Sequence, residues 1–525
     1  MIHIKEDEKV LRETWNREKR PLMQALAFAL LWGAVTYGYA AAHLIISHDS
    51  LYEFVSPKKW KVSLGRVFEP IYQTVVRSNL VVPWIIAVLS VAFIGLAVYA
   101  LTRALDLSSA WDVLLTAGAI TTLPSTFLMA VSYIGDMDSN MLALLCAVLA
   151  VVAWARGRKW YWLLGGACMV AGSLGLYQSY LGVTVTLIIV YCVVRLLEGD
   201  AAKRVLLCGL SSIAMIALGL ALYSIAVQLV CRMVGVELAQ DGYNSLTNVF
   251  SADTWKNLGA SLRFVYRDVY QKTVYAHFGH EYRVSPAQAV AVLGALAAIV
   301  YRAVRGRIRP AAAALMVALL ALMPVGASLS GIANGGTMHD LMRCGNLGIY
   351  VLFIAAVAPL RREERALPRV CAGLVSVCML FTMWQFAVDA NQLMVLRDVC
   401  NQATQSLLTC VSNDMMKQED YVPGETPVYI YGNVIPDPNP FLDESRMKYL
   451  QKYTGFAYNG IQITYSGTYE AYFRHLLQRE LKLCSEEQSA AIEQTEAFQS
   501  MPDYPKDGSI RAIDGVLVVK LEKAY

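Results

Sequence analysis

At 525 residues, 56% hydrophobic and with a mean hydropathy of +0.43, the chain is too apolar for a soluble globular protein. Its formal net charge is only +4, and the basic excess sits in short loops, which excludes a nucleic-acid-binding face. The eleven cysteines show no CxxC pair and no metal-ligand spacing, so a zinc module is excluded too.

Apolar stretches need roughly 20 residues each to cross a bilayer, and about eleven can be drawn in the first 390 residues. A basic tail over residues 1–20, with Arg17, Lys19 and Arg20, precedes span 1 at residues 21–46. That run is too long for a signal-peptide core and leads on into more apolar sequence, so it reads as an uncleaved span. A connection over 47–79 follows. Its second half, 64–76, mixes apolar and polar residues as a helix lying on a membrane surface does. Spans 2 and 3 cover 80–101 and 111–133, and the short polar turn 134–140 opens span 4. Spans 5 and 6 are separated only by residues 177–180. Span 7, at 205–230, leads to a long connection over 231–285 whose stretch 255–275 has apolar residues at helical spacing. Spans 8 and 9 form a hairpin around Arg302, Arg305, Arg307 and Arg309. A Gly-rich connection over 331–343 precedes span 10, and span 11 covers 370–388.

Nearly every second connection is short and basic. Roughly 20 Lys and Arg fall on that side in about 60 residues, against about 12 in twice the length on the other. The positive-inside rule therefore places the N-terminus in the cytoplasm, and an odd number of spans places the C-terminus outside. The expected domains are the tail 1–20, a transmembrane domain 21–390 and an extracytoplasmic domain 391–525. In the last, 426–431 and 515–521 read as strands, and 444–453 and 469–481 as helices, giving a small α+β domain. Cys146, Cys168, Cys192, Cys208, Cys371 and Cys378 lie in apolar runs and read as core filler. A disulfide among Cys400, Cys410 and Cys484 stays open. If 390–415 is one helix, Cys400 and Cys410 are roughly 15 Å apart and cannot join each other.

Ionisable residues at span ends are the leads, because charge near hydrocarbon is expensive. Asp49, directly after span 1, can act as a general base toward an acceptor hydroxyl, or can simply cap a following helix. His48 beside it reads more plainly as an interfacial histidine. Asp136 and Asp138 form an Asp-x-Asp turn that can hold Mg²⁺ or Mn²⁺, can bind sugar hydroxyls, or can be an ordinary solvated turn. Arg66, Arg77, Arg263, Arg267, Arg283 and Arg343 are the arginines of the outer side. Such a guanidinium grips a phosphate bidentately or snorkels to the lipid headgroups. Arg343 is the most suggestive, with His339 and Asp340 one turn before it. Tyr177, Gln178 and Tyr180 can hydrogen-bond a sugar or form part of an aromatic belt.

An acid after span 1, an amphipathic segment in the same connection, an acidic turn after span 3 and a trailing outer domain resemble the GT-C membrane glycosyltransferases. Within that class the chain is most similar to the serotype-converting O-antigen glucosyltransferases of the Gtr kind. The resemblance is carried by residues 48–52 (His-Asp-Ser-Leu-Tyr), 64–66 (Leu-Gly-Arg), 136–138 (Asp-Met-Asp), 176–180 (Leu-Tyr-Gln-Ser-Tyr) and the C-terminal stretches 501–510 and 515–521. It departs at His48, where the family often has a second acid. What the resemblance implies is an α-helical polytopic fold of about eleven spans with a small extracytoplasmic α+β domain, in a bacterial cytoplasmic (inner) membrane. It implies transfer of a hexose, typically glucose, from undecaprenyl phosphate to a lipid-linked, O-antigen-like polysaccharide, with inversion at the anomeric carbon. A flippase and a donor synthase would be its partners. In that scheme Asp49 takes the acceptor proton, and Asp136 and Asp138 position the sugar or assist that base. Arg343, with Arg66, neutralises the departing phosphate. His48, Tyr177, Gln178, Tyr180 and His339 line the substrate site, and Mg²⁺ or Mn²⁺ at Asp136 and Asp138 is not required. The alternatives are a polysaccharide or lipid transporter, against which the lack of an internal repeat speaks, and another GT-C activity on protein or lipid A.

Overall fold

The computed structural model describes residues 2–46, 51, 59–157, 159–239, 256–271, 286–336, 338–432 and 466–521. It divides into two compact units: one of residues 1–41, 58–130 and 136–390, the other of 42–57, 131–135 and 391–525. His48 and Asp49 lie outside the described residues, as does the helix expected at 444–453.

The first unit is helical throughout. Among the described residues nine helices are long and apolar enough to cross a membrane. A further span is broken: Ala110–Thr121 and Pro124–Ser132 meet at a 46° bend. Pro124 causes the break, since it donates no backbone hydrogen bond and its ring collides with the preceding turn. Trp160–Leu176, with 17 residues, is a shorter apolar helix. The segments drawn from the sequence are therefore all helical, but length and composition alone support nine spans, or ten with the bent pair, where about eleven were expected. This is a polytopic helical membrane protein.

Two boundaries differ from expectation. The first helix, Ile2–Ala42, runs straight through Pro21, so the basic tail and the first span are one helix. The surface helix expected at 64–76 starts only at Glu69, as Glu69–Arg77, and a separate short helix, Lys59–Ser63, precedes it. Gly65, at φ 80°, breaks the chain between them, and Pro70 in the first turn of the second helix starts it again. The segment expected as a helix over 255–275 is described as Leu258–Val269.

The centre of this unit is helix Asn346–Val357, buried at every position. Small residues let its neighbours approach. A Cβ on Gly345 would lie 2.6 Å from the Ala327 carbonyl oxygen, and one on Gly348 would lie 2.4 Å from the Thr186 side chain. Close backbone approach through glycine is how helices associate where no hydrophobic force separates protein from lipid.

In the second unit a four-stranded sheet has the order β2-β1-β4-β3, with β1 Pro427–Tyr431, β2 Lys482–Leu483, β3 Ile510–Ile513 and β4 Val516–Lys520. β1 runs parallel to β2 and β4, and β3 and β4 form an antiparallel hairpin. The turn is Asp514-Gly515, both with positive φ, the residue pair a two-residue hairpin favours. β4 is the central apolar strand, and alternate residues serve two cores. Leu517 and Val519 pack with Leu408, Val411, Tyr472, Ile46 and Leu51. Val516 and Val518 pack with Ile492, Phe498 and Met501. The helix expected over 469–481 is Ser466–His475. It ends early because Leu481 turns into the core and residues 482–483 pair with β1. All eleven cysteines are free thiols, so the disulfide left open is not formed. Cys168 and Cys371 are exposed instead of filling a core.

A buried charge network as candidate active site

Helix Glu69–Arg77 is amphipathic in an inverted sense. Glu69, Gln73 and Arg77, four residues apart, form one face and are buried. Ile71 and Val75 on the other face are 50% and 78% exposed. A helix that hides its charges and shows its apolar side is built for a lipidic surrounding, where the charges must find partners inside the protein.

Those partners come from the turn at 134–140. Asp136 pairs with Lys61, which also bonds Glu69 Oε1 at 3.1 Å. Gln73 Nε2 donates to Glu69 Oε1 at 3.2 Å and to Asp136 Oδ1 at 3.0 Å. Ser139 Oγ reaches Glu69 Oε1 at 3.3 Å. Arg66 Nη1 lies 3.9 Å from Glu69 Oε2 and 4.0 Å from Asp136 Oδ2. Asp138 faces a second set: Arg77 Nε at 3.1 Å, Tyr72 Oη at 3.2 Å and the Ser139 amide at 3.0 Å. Among the described residues three cations thus meet three carboxylates, all largely buried. Burial, reinforced by the neighbouring Asp136 and opposed by Lys61 and Arg66, pushes Glu69 up to about 7. Burial, followed by the Asp138 charge, also raises Tyr72.

The loop that carries Arg66 is pinned from three directions. The Phe68 amide donates to Gly175 O at 2.8 Å, Gln178 Nε2 to Leu64 O at 2.8 Å and Tyr223 Oη to Gly65 O at 3.0 Å. Arg66 itself rests on the Tyr177 ring, 4.5 Å from its centroid, an arrangement that holds the guanidinium plane in place. Tyr177 meets Tyr180 edge-on at 5.9 Å, and Tyr180 lies beside Cys344.

The residues singled out from the sequence thus fall into three groups. Asp136, Asp138, Arg66 and Tyr177 come together in one network, with Gln178 and Tyr180 supporting it. Arg343 is elsewhere: its guanidinium is held by Asp268 at 2.7 and 2.9 Å, by Asp340 and by Met338 O at 3.2 Å. His339 is exposed at the start of the turn Asp340–Gly345. His48 and Asp49 form the third group, outside the described residues. Asp136 and Asp138 turn to different partners, and among the described residues no three His, Cys, Asp or Glu side chains converge as a metal site would need.

Sequence reasoning missed Lys61, Glu69, Gln73 and Asp268, while Arg77 was read only as one of the outer-side arginines. The four-residue spacing 69, 73, 77 was the available signal for Glu69 and Gln73. Asp268 had none, since its partner lies 75 residues away.

No curated protein matches the chain, and no solved structure does. A family model does, the glucosyl transferase GtrII family, over residues 38–335. The match contains every member of the charge network and stops short of His339 and Arg343. Because it covers more than half of the sequence, the chain belongs to the GtrII glucosyl transferase family.

Proposed function

We propose that this glycosyltransferase moves a hexose, glucose by its family, from polyprenyl phosphate to a hydroxyl of a lipid-linked surface polysaccharide at the outer face of the cytoplasmic membrane, with inversion. The observation that carries the reading is Arg66. It is held over Tyr177 at the edge of a carboxylate-rich network, and it is the most exposed of the network's described cations, 15% against 3% for Arg77 and 0% for Lys61. A polyprenyl tail must stay in hydrocarbon while its phosphate meets a polar group, and an interfacial arginine beside a membrane helix suits both demands.

In this scheme an acceptor oxygen attacks the anomeric carbon and the bond from that carbon to the phosphate oxygen breaks. The electron pair leaves on the phosphate, and the acceptor proton passes to a carboxylate. Asp49 takes that proton and Asp136 orients the sugar. Arg66, backed by Lys61, stabilises the charge that builds on the departing phosphate. Arg343 is already engaged by two carboxylates, so this role falls to Arg66 instead. Loss of one such electrostatic partner typically costs about 10²–10³ in rate.

The test is transfer of radiolabelled glucose from polyprenyl-phosphate-glucose to a lipid-linked polysaccharide by purified protein in detergent. Asp49→Asn and Arg66→Met, each checked for folding, should fall at least about a hundredfold below wild type. EDTA should leave the rate unchanged. Full activity in Asp49→Asn would move the base to Asp136 or Asp138. No turnover by folded wild type would favour a lipid or polysaccharide carrier.

A further inference from the structure

Two connections of the helical unit are built from arginine. Residues 302–309 carry Arg302, Arg305, Arg307 and Arg309, and residues 361–369 carry Arg361, Arg362, Arg365 and Arg369. Lysine supplies 17 of the chain's 45 basic residues but none of these eight. Orientation in a membrane needs only positive charge, and lysine would serve that end equally. What arginine adds is a planar fork that takes two oxygens of one phosphate.

The fold joins the two connections and divides the work among these side chains. Arg305 pairs with Glu363 across them, and Arg302 Nη1 donates to Ala355 O at 3.0 Å. Arg361 pairs with Asp112 and donates to Ser376 Oγ. Arg362 lies 3.6 Å from Asp112 Oδ2 and donates to Ser108 Oγ at 3.1 Å. Those arginines hold the loops in place. Arg307, Arg309, Arg365 and Arg369 are exposed, and among the described residues no carboxylate forms an ion pair with them. Arg365 adds only its charge to the neighbourhood of Glu363. Beside these guanidiniums, Val304, Leu367 and Val370 are 73%, 76% and 66% exposed. Exposed apolar and exposed cationic side chains suit one place together, the level where lipid headgroups meet hydrocarbon. Helices Pro310–Ala327 and Ala366–Met415 also begin in this patch, and their N-terminal amides add to its positive field.

We infer that Arg307, Arg309, Arg365 and Arg369 bind the phosphate of an anionic phospholipid, with its acyl chains against Val304, Leu367 and Val370. The site shares no residue with the charge network around Glu69 and does not depend on the transfer reaction. A zwitterionic lipid brings an ammonium that offsets the attraction, so the partner carries net negative charge. A free phosphate has no chains to cover the three apolar residues.

The experiment is binding of radiolabelled short-chain phosphatidylglycerol to the purified full chain in neutral detergent, beside phosphatidylcholine of the same chain length. Wild type should bind the anionic lipid at least about tenfold more tightly, since each basic side chain at a lipid surface contributes about fivefold. Equal affinities would overturn the proposal. The variant Arg307→Gln/Arg309→Gln/Arg365→Gln/Arg369→Gln should lose the preference; if it keeps it, the site is elsewhere. Lysine at the same four positions keeps the charge without the fork and should forfeit most of the preference, and wild-type binding by that variant would overturn the role given to arginine. Arg156→Gln/Lys159→Gln/Lys203→Gln/Arg204→Gln removes the same charge from other connections and should bind as wild type does. An equal loss there would reduce the effect to bulk charge and overturn the site. Should the glutamine variant at the patch not fold, photo-crosslinking of the lipid to wild type decides: the labelled peptides should fall within 302–309 or 361–370, and labelling confined to other segments would sink the proposal. Inorganic phosphate in excess should leave the lipid bound, and displacement by it would make this a site for free phosphate instead. Polyprenyl phosphate competing better than phosphatidylglycerol itself would make it a donor-lipid site and equally overturn the inference.

Discussion

A carboxyl group shut away from water is comfortable only while it is neutral or fully paired, and among the described residues no group donates a hydrogen bond to Glu69 Oε2, which has the Arg66 guanidinium at 3.9 Å. The folded pKa of Glu69, about 7, lies above the ordinary 4.5. The folded chain therefore holds the proton longer than the unfolded one, and stability declines as pH climbs from about 4.5 until Glu69 has ionised near 7. The span of the shift corresponds to about 3 kcal/mol. Wild-type protein should accordingly melt lower at about pH 8 than at about pH 5, and Glu69→Gln should narrow the difference; an unchanged difference would contradict this origin. Asp268 presents the opposite case, a carboxylate on which a buried cation depends. Asp268→Ala leaves the buried Arg343 with Asp340 and the Met338 carbonyl and removes one of its carboxylates, a change that costs about 3–5 kcal/mol in comparable buried pairs. Folded yield should drop sharply, whereas His339→Ala, at an exposed position, should behave as wild type. Asp136, Asp138 and Arg66 were legible from sequence because acids and bases next to apolar runs stand out. Glu69 and Gln73 were not, because their helix was read for its apolar side, and a membrane protein turns that side outward.

Helices are the most legible elements here, since a run of about 20 apolar residues can scarcely be anything else. What the pattern hides is how closely they touch. Alanine in place of glycine within a helix ordinarily helps, by roughly 1 kcal/mol. At Gly345 and Gly348 the sign should reverse, because the new methyl would fall 2.6 Å from a backbone oxygen and 2.4 Å from Thr186. Gly373, with nothing within 4 Å of its Cβ position, is the control. Gly345→Ala and Gly348→Ala should each reduce the monodisperse fraction on gel filtration while Gly373→Ala does not; three equal traces would disprove the packing argument. The break at Pro124 was open to a sequence reader. The early end of helix Ser466–His475 was not, because it is set by a strand pairing that only the sheet supplies.

At the scale of the molecule, charge asymmetry predicts sidedness. The cluster at Arg361, Arg362, Arg365 and Arg369 should face the cytoplasm, and Cys410, an exposed thiol, the outside. With the other exposed cysteines, Cys168 and Cys371, replaced by serine, a membrane-impermeant maleimide should label Cys410 on spheroplasts. A cysteine introduced as Glu364→Cys should be labelled only after permeabilisation. The reverse pattern would invert the topology and move the charge network to the cytoplasmic side. The second compact unit was only partly visible from composition. The polar shift after residue 390 marks its largest piece, but residues 42–57 and 131–135 belong to it as well and adjoin apolar runs that mask them.

That discontinuity matters during synthesis. Ile46 and Leu51 are buried among Leu408, Val411, Tyr472 and Leu517, yet they leave the ribosome about 360 residues before the first of those partners. At roughly 5–20 residues per second the wait is on the order of 20–70 seconds. Throughout it two apolar side chains have no cover of their own. A message cut short before β4 would leave Ile46 and Leu51 without part of that cover, so a defect downstream would first be felt hundreds of residues upstream, as a segment that quality control meets uncovered.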